Sequence, residues 1–449
     1  MLRVDAGRTD SYCDGWNRRS FLQIGLAGLG SLSLPNLLRA KEASGSRKET
    51  SLILLWLDGG PSHMDMYDMK PEAPAEYRGI WNPIRTNVSG FDITELYPKQ
   101  AQVADKFSVV RSLHHDNGDH FAGGHWMLTG RGGASGGDKV GKYPFFGSII
   151  SKMRGSKQPG LPANVAIPYA MSIGIRPGYF GGNYLGVQHD PFQTQRDPSR
   201  PNFQVPNLNL PSGMSVDRLG DRRHLLNQFD GLRRDADRSG MMDAMDRFEQ
   251  HAFEMVTGPA ARKAFDIESE DPRLRDKYGR NTWGQSTLLA RRLVEAGSTV
   301  VSCHFGGWDH HWNMQSGYER NLPKIDALVS ALFDDLTTRG LLDSTLVMLC
   351  GEFSRTPRMN DGSGNGTPGR DHWGNSMFCL MGGGGIQGGR LIGSTDRLGA
   401  APQDNPKRPG DIHHTVFRVL GVDPNLSFNN HAGRPIPAID HGSVIEELF

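Results

Sequence analysis

The chain has 449 residues, enough for one large α/β domain or two ordinary ones. Its 50 Lys+Arg against 49 Asp+Glu leave a formal charge of +1, so it lacks the broad basic field that draws a protein onto nucleic acid, and no nucleic-acid partner is expected. With 57 Gly, 27 Pro and 37% hydrophobic residues, much of the chain is predicted to be turns and ordered loops, the segments that most often carry sites.

Near the N-terminus, Asn17-Arg18-Arg19-Ser20-Phe21-Leu22-Gln23 places an arginine pair directly before an apolar stretch from Ile24 to about Leu38. That pattern predicts a twin-arginine signal over residues 1–43, with cleavage near Ala40 or Ala43. The twin-arginine translocase is then the export partner, and the destination is periplasmic or extracellular. The apolar stretch is broken by Pro35 and falls short of the ~20 residues of a membrane span, so no stable span is expected. Residues 44–449 are read as a single domain. Cys13 would leave with the signal; Cys303, Cys350 and Cys379 each lie in an apolar run and are expected as buried thiols, not as a disulfide framework.

Five apolar runs anchor a predicted sheet. Ser51–Leu57 is continuous and ends in Asp58-Gly59-Gly60-Pro61; Phe107–Val110, Ser298–Cys303, Thr345–Cys350 and Met377–Met381 follow. Continuous apolar runs suit strands buried on both faces. Helical periodicity fills the spaces between, over Thr282–Ala296 and at Leu322, Ile325, Leu328, Val329, Leu332, Phe333 and Leu336 before Gly340. The fold class is therefore α/β, a doubly wound, mostly parallel sheet with helices on both faces, whose ligands sit at the carboxyl ends of the strands. Residues 155–280 read as an insertion. It is loop-rich to about 213 and then charged and helical, with a stripe of Met241, Met242, Met245, Phe248 and Phe253 expected in the core.

Nine of the 16 histidines (His63, His114, His115, His120, His125, His304, His310, His311 and His372) fall in four short segments beside predicted strands. Imidazole with carboxylate suits zinc, manganese or iron, while an oxygen-only set would suit calcium or magnesium. In the first segment Asp58 stands at a strand tip and Asp65 in the turn beyond; a carboxylate there reaches a metal, or caps the next helix. In the second, Arg111 precedes His114-His115-Asp116, and His120-x4-His125 is close to helical spacing, which places both rings near one face. In the third, Gly307-Trp308-Asp309-His310-His311 follows a strand; adjacent side chains diverge, so Asp309 is paired with His311. In the fourth, Glu352 ends a strand and Asp371-His372 precedes the next, while Arg355 and Arg370 are placed to grip substrate oxygens or to pair with nearby acids.

Together, Gly59-Gly60-Pro61-Ser62, Gly307-Trp308-Asp309-x-His311, Gly351-Glu352-Phe353-x-Arg355-Thr356-Pro357 and Gly369-Arg370-Asp371-His372-Trp373 resemble the bacterial family called domain of unknown function 1501. That family looks like a branch of the alkaline phosphatase and sulfatase superfamily, in which strand-end acids and histidines surround one or two metals. The resemblance implies that Asp58 matches the first-strand carboxylate, Asp309 and His311 the mid-chain pair, and Asp371-His372 the late segment. Glu352 falls where an Asp-His pair is expected, but its neighbour is Phe353. Leu128-Thr129-Gly130-Arg131 resembles the end of the sulfatase nucleophile helix, and counting back reaches His120 where Cys, Ser or Thr should stand.

The expected activity is hydrolysis of a phosphate or sulfate ester, on an anionic small molecule or polysaccharide, with a divalent metal. The expected ligands are Asp58, Asp65, Asp309, His311, Glu352, Asp371 and His372. His120, His125, Arg111 and Arg355 are the acid–base and anion-holding candidates. The other reading is a non-catalytic metal- or glycan-binding protein that keeps the fold.

Overall fold

The structure, a computed structural model, describes residues 49–133, 141–206, 208, 218, 221 and 252–449. The twin-arginine stretch, its cleavage point, Cys13 and the Met241, Met242, Met245 and Phe248 positions lie outside the described residues.

Eight strands form the central sheet: β1 (Ser51–Asp58), β2 (Phe107–Leu113), β3 (Asn164–Ile167), β4 (Phe192–Gln193), β5 (Val300–Gly306), β6 (Thr345–Cys350), β7 (Met377–Gly382) and β8 (Leu391–Ile392). Their spatial order is β8-β2-β7-β6-β1-β5-β3-β4. Strand β7 runs antiparallel to β2 and β6, and every other neighbouring pair is parallel. Every residue of β1 is buried, as its continuous apolar run predicts for a strand covered on both faces.

Alternation along β1 divides the core in two. Ile53, Leu55 and Leu57 join Leu288, Leu293, Leu328 and Leu332 from helices α5 (Thr282–Ala296) and α6 (Met314–Thr338). Leu52, Leu54 and Trp56 face the other way, into a core with Met127 and Leu128 of α1 (His120–Thr129), Ile149 and Ile150 of α2 (Phe146–Arg154), and Val416 and Phe417 of α7 (Pro409–Leu420). Helices thus cover both faces. Two short helices, α3 (Pro259–Phe265) and α4 (Pro272–Tyr278), complete the first layer.

The segment from 155 is not wholly an addition to the sheet: β3 and β4 extend its edge, pairing Val165 with Val301 and with Phe192. They escape the sequence pattern because they are four and two residues long, too short to show a period. Among the described residues no helix is long and apolar enough to cross a membrane. Cys303, Cys350 and Cys379 are free and buried, as expected.

Register positions the site. Asp58 pairs with Gly306, and Trp56 pairs with both His304 and Cys350, so β1, β5 and β6 end at nearly the same height. The loops that follow, beginning at Gly59, Gly307 and Gly351, therefore leave from one rim of the sheet.

Candidate metal centre

The turn after β1 is built from glycine because its neighbours leave no room. Gly59 has φ +116° and Gly60 φ +73°; a Cβ on Gly59 would lie 2.5 Å from the Asp309 backbone nitrogen, and one on Gly60 2.4 Å from the Phe353 ring. The close approach lets the Gly59 N–H donate to Glu352 Oε1 at 2.8 Å. Opposite, α1 starts where the Asp119 side chain accepts from the N–H groups of Phe121 and Ala122, at 2.9 and 3.0 Å. This cap sets His120 on the first turn with its ring over the rim.

Three imidazoles share one arrangement. His120 Nδ1 lies 2.6 Å from Glu352 Oε1, His311 Nδ1 2.6 Å from Asp371 Oδ1, and His372 Nδ1 2.7 Å from the Gly118 carbonyl. These oxygens accept, so each Nδ1 carries the proton and each Nε2 of the neutral ring keeps a lone pair. All three Nε2 atoms turn toward Asp309. His120 Nε2 is 3.3 Å from Oδ2; His311 and His372 Nε2 are 3.1 and 3.2 Å from Oδ1. The Nε2 atoms of His311 and His372 are only 3.1 Å apart. Two lone pairs that close repel unless a proton or a cation lies with them.

The carboxylates complete the field. Burial alone raises a carboxylate, but at Asp309 the facing imidazoles of His120 and His372 and the guanidinium of Arg355 outweigh it and hold the group far below the ordinary range. Burial likewise lowers His120, yet the Asp309 and Glu352 carboxylates on either side of the ring carry the imidazole up to about 9. Glu352 is fully buried; desolvation raises its pKa, with nearby Asp58 adding to the rise and His120 opposing it. Its Oε2 is buried without a hydrogen-bond partner, and so is His120 Nε2.

One observation bears on ancestry. The family description "Protein of unknown function (DUF1501)" matches residues 49–449, nearly all of the chain. The chain belongs to the DUF1501 family. No curated protein matches it. Solved structures similar to this DUF1501 protein include the sulfatase PsFucS1 from Pseudoalteromonas sp., at 13% identity over 88% of this chain and 72% of that one with a TM-score of 0.38. A second is the phosphonate monoester hydrolase of Agrobacterium radiobacter, at 10% identity over 89% and 77% with a TM-score of 0.39. A third is the lipoteichoic acid synthase LtaP from Listeria monocytogenes, at 11% identity over 84% and 74% with a TM-score of 0.35.

In this DUF1501 protein the sequence-derived residues divide into two groups. Asp309, His311, Asp371, His372, Glu352 and His120 converge through the contacts above. His120, Asp309 and His372 offer ligand atoms that all lie within 4.8 Å of one another. Asp58 stands beside them but spends its oxygens elsewhere, accepting from Ser172 Oγ at 2.9 Å, from the Ile173 N–H at 2.8 Å and facing His304 Nε2 at 2.9 Å.

The remaining candidates occupy different surroundings. Asp65 is completely buried in an ion pair with Arg370 Nε at 3.0 Å and also accepts from the Ile80 N–H. Arg111 faces Asp68 at 3.6 Å. His125 turns to the Arg131 carbonyl at 3.0 Å and to the rings of Tyr143 and Tyr179, because five residues of α-helix rotate it about 140° from His120. Arg355 is fully buried and donates to the carbonyls of Gly59, Gly60 and Arg370 and to Asp309 Oδ1, so its fork is engaged within the protein and is not open to a substrate anion. His304, one of the nine clustered histidines, belongs with Asp58 and not with the converging group: it stands near the end of its strand and faces the Asp58 carboxylate.

Proposed function

We propose that this DUF1501 protein is an exported, metal-dependent hydrolase of phosphate or sulfate esters, acting on an anionic small molecule or polysaccharide. The observation that carries the reading is the convergence of three Nε2 atoms on Asp309 with every Nδ1 tied to an oxygen, the pattern in which outer partners orient metal-binding histidines. The donor set fits the group. For bonds of about 2.0–2.1 Å in a tetrahedral site, neighbouring ligand atoms stand about 3.3 Å apart; His120 Nε2 and His372 Nε2 lie 3.3 and 3.2 Å from the Asp309 carboxylate, and the three residues' ligand atoms all lie within 4.8 Å of one another. Imidazoles together with a carboxylate favour zinc or manganese over calcium or magnesium.

His120, Asp309 and His372, with His311 adjoining, would hold the cation. When bound, such a cation lowers the pKa of a coordinated water to about 7, which supplies a nucleophile without a side-chain hydroxyl or thiol. The protein's own groups perform the rest. Asp371 and Gly118 fix the tautomers of His311 and His372. Glu352, buried beneath His120, accepts its Nδ1–H and offers Oε2 as a second place for a proton.

A second reading, a binding protein that retains the fold without turnover, is favoured by one observation. His120 fills the position where the resemblance expects a nucleophile, and its ring is committed to Glu352 and Asp309. Metal analysis of the purified chain, followed by assay on aryl phosphates and aryl sulfates, separates the two. Metal with ester turnover supports the hydrolase; metal with no turnover on either class favours the binder.

A further inference from the structure

Arg355 is among the largest side chains with no solvent exposure, and its backbone pairs with His372 in a two-stranded ribbon. Its Nε–H donates to the Gly60 carbonyl at 2.8 Å and an Nη1–H to the Arg370 carbonyl at 3.2 Å; Nη2 donates to the Gly59 carbonyl and to Asp309 Oδ1 at 2.7 Å. These acceptors come from three separate segments: the turn after β1, the loop after β5, and the stretch that leads into His372. One guanidinium therefore touches all four sequence motifs, its own included.

Burying a guanidinium costs several kcal/mol unless its donors are satisfied, and a single buried carbonyl would be satisfied more cheaply by a neutral donor. What the planar fork provides is direction in several places at once, which a lysine ammonium does not reproduce. At Asp309 it holds Oδ1 while Oδ2 faces His120 Nε2 at 3.3 Å. We infer that Arg355 is the positioning residue of the centre, fixing the Asp309 carboxylate against the first-strand turn so that the three motif loops keep one arrangement.

The effect on metal rests on the proposed function; the effect on loop order does not, and the test separates them. In the full chain, Arg355→Lys is expected to retain the circular dichroism of the folded protein and to weaken zinc or manganese binding by about 10- to 100-fold, the range for outer-partner loss at metal sites. In EDTA, amide hydrogen exchange in peptides covering residues 59–61, 308–311 and 370–372 is expected to accelerate together, at least tenfold, with the 282–296 helix unchanged. Metal affinity within twofold of the parent and unchanged exchange in the three segments would overturn the inference. Should lysine prevent folding, Asp309→Asn in EDTA reads the same link: joint acceleration of the three segments supports it, and acceleration confined to 308–311 refutes it. If the parent chain takes up no metal, the proposed function fails while the exchange data still decide the role of Arg355.

Discussion

His311 and His372 bring their Nε2 atoms to 3.1 Å of each other, while their Nδ1 atoms are held by Asp371 and the Gly118 carbonyl. Neither ring can relieve the contact by donating from Nε2 without taking up an extra proton. The pair is thus placed to share a proton or a cation between its two Nε2 atoms.

Removing the outer acceptor should loosen this arrangement without removing a ligand atom. Asp371→Asn leaves a weaker acceptor for the His311 Nδ1–H, and metal affinity measured by calorimetry should fall about 10-fold or more. The midpoint of urea unfolding should hardly move, since the Asp371 side chain is 57% exposed.

Protonation gives a second handle. The His120 pKa is raised to about 9 in the folded protein against about 6.5 for the unfolded chain. Its proton therefore contributes stability that is fully present below pH about 6.5 and is lost as pH rises through about 9, a change on the order of 3 kcal/mol. Urea unfolding of EDTA-treated protein between these limits should show that loss, and His120→Gln should flatten it. Metal uptake has the opposite slope, because Nε2 must shed its proton to bind: affinity should climb with pH up to about 9.

Much of this was legible in the sequence, and the misses have identifiable causes. Continuous apolar runs disclose the central strands, and the acids and histidines clustered after three of them do meet on one rim. What spacing does not disclose is the partner of a charged group. Arg355 and Arg370 look alike as anion ligands until the carbonyls and the Asp65 carboxylate that absorb them come into view. A four-residue gap looks helical for His120 and His125, yet it is three or four residue steps that share a face, not five. Asp58, at the tip of the first strand, is engaged by Ser172 and Ile173 from a distant loop whose approach no local pattern announces.

The Asp65–Arg370 pair offers a structural control. Both side chains are fully buried, and removing one partner leaves an uncompensated charge. Asp65→Ala should cost about 3–5 kcal/mol in urea unfolding. Stability, not the identity of bound metal, is what this substitution should change.

The first-strand turn makes a steric prediction. In Gly59→Ala the added Cβ would stand 2.5 Å from the Asp309 nitrogen at a φ of +116°, so one loop must shift. A loss on the order of 1–3 kcal/mol is expected from the strained backbone, accompanied by weaker metal binding because Asp309 is the group displaced.

The most direct measurement is the metal content of the purified full chain and of its Asp309→Ala and His372→Ala variants, read by elemental analysis after exchange into metal-free buffer. The parent should retain at least one zinc or manganese per chain, and each variant should lose it while keeping the folded circular dichroism. A parent that binds no divalent cation, or variants that hold metal as the parent does, would contradict a centre built around Asp309.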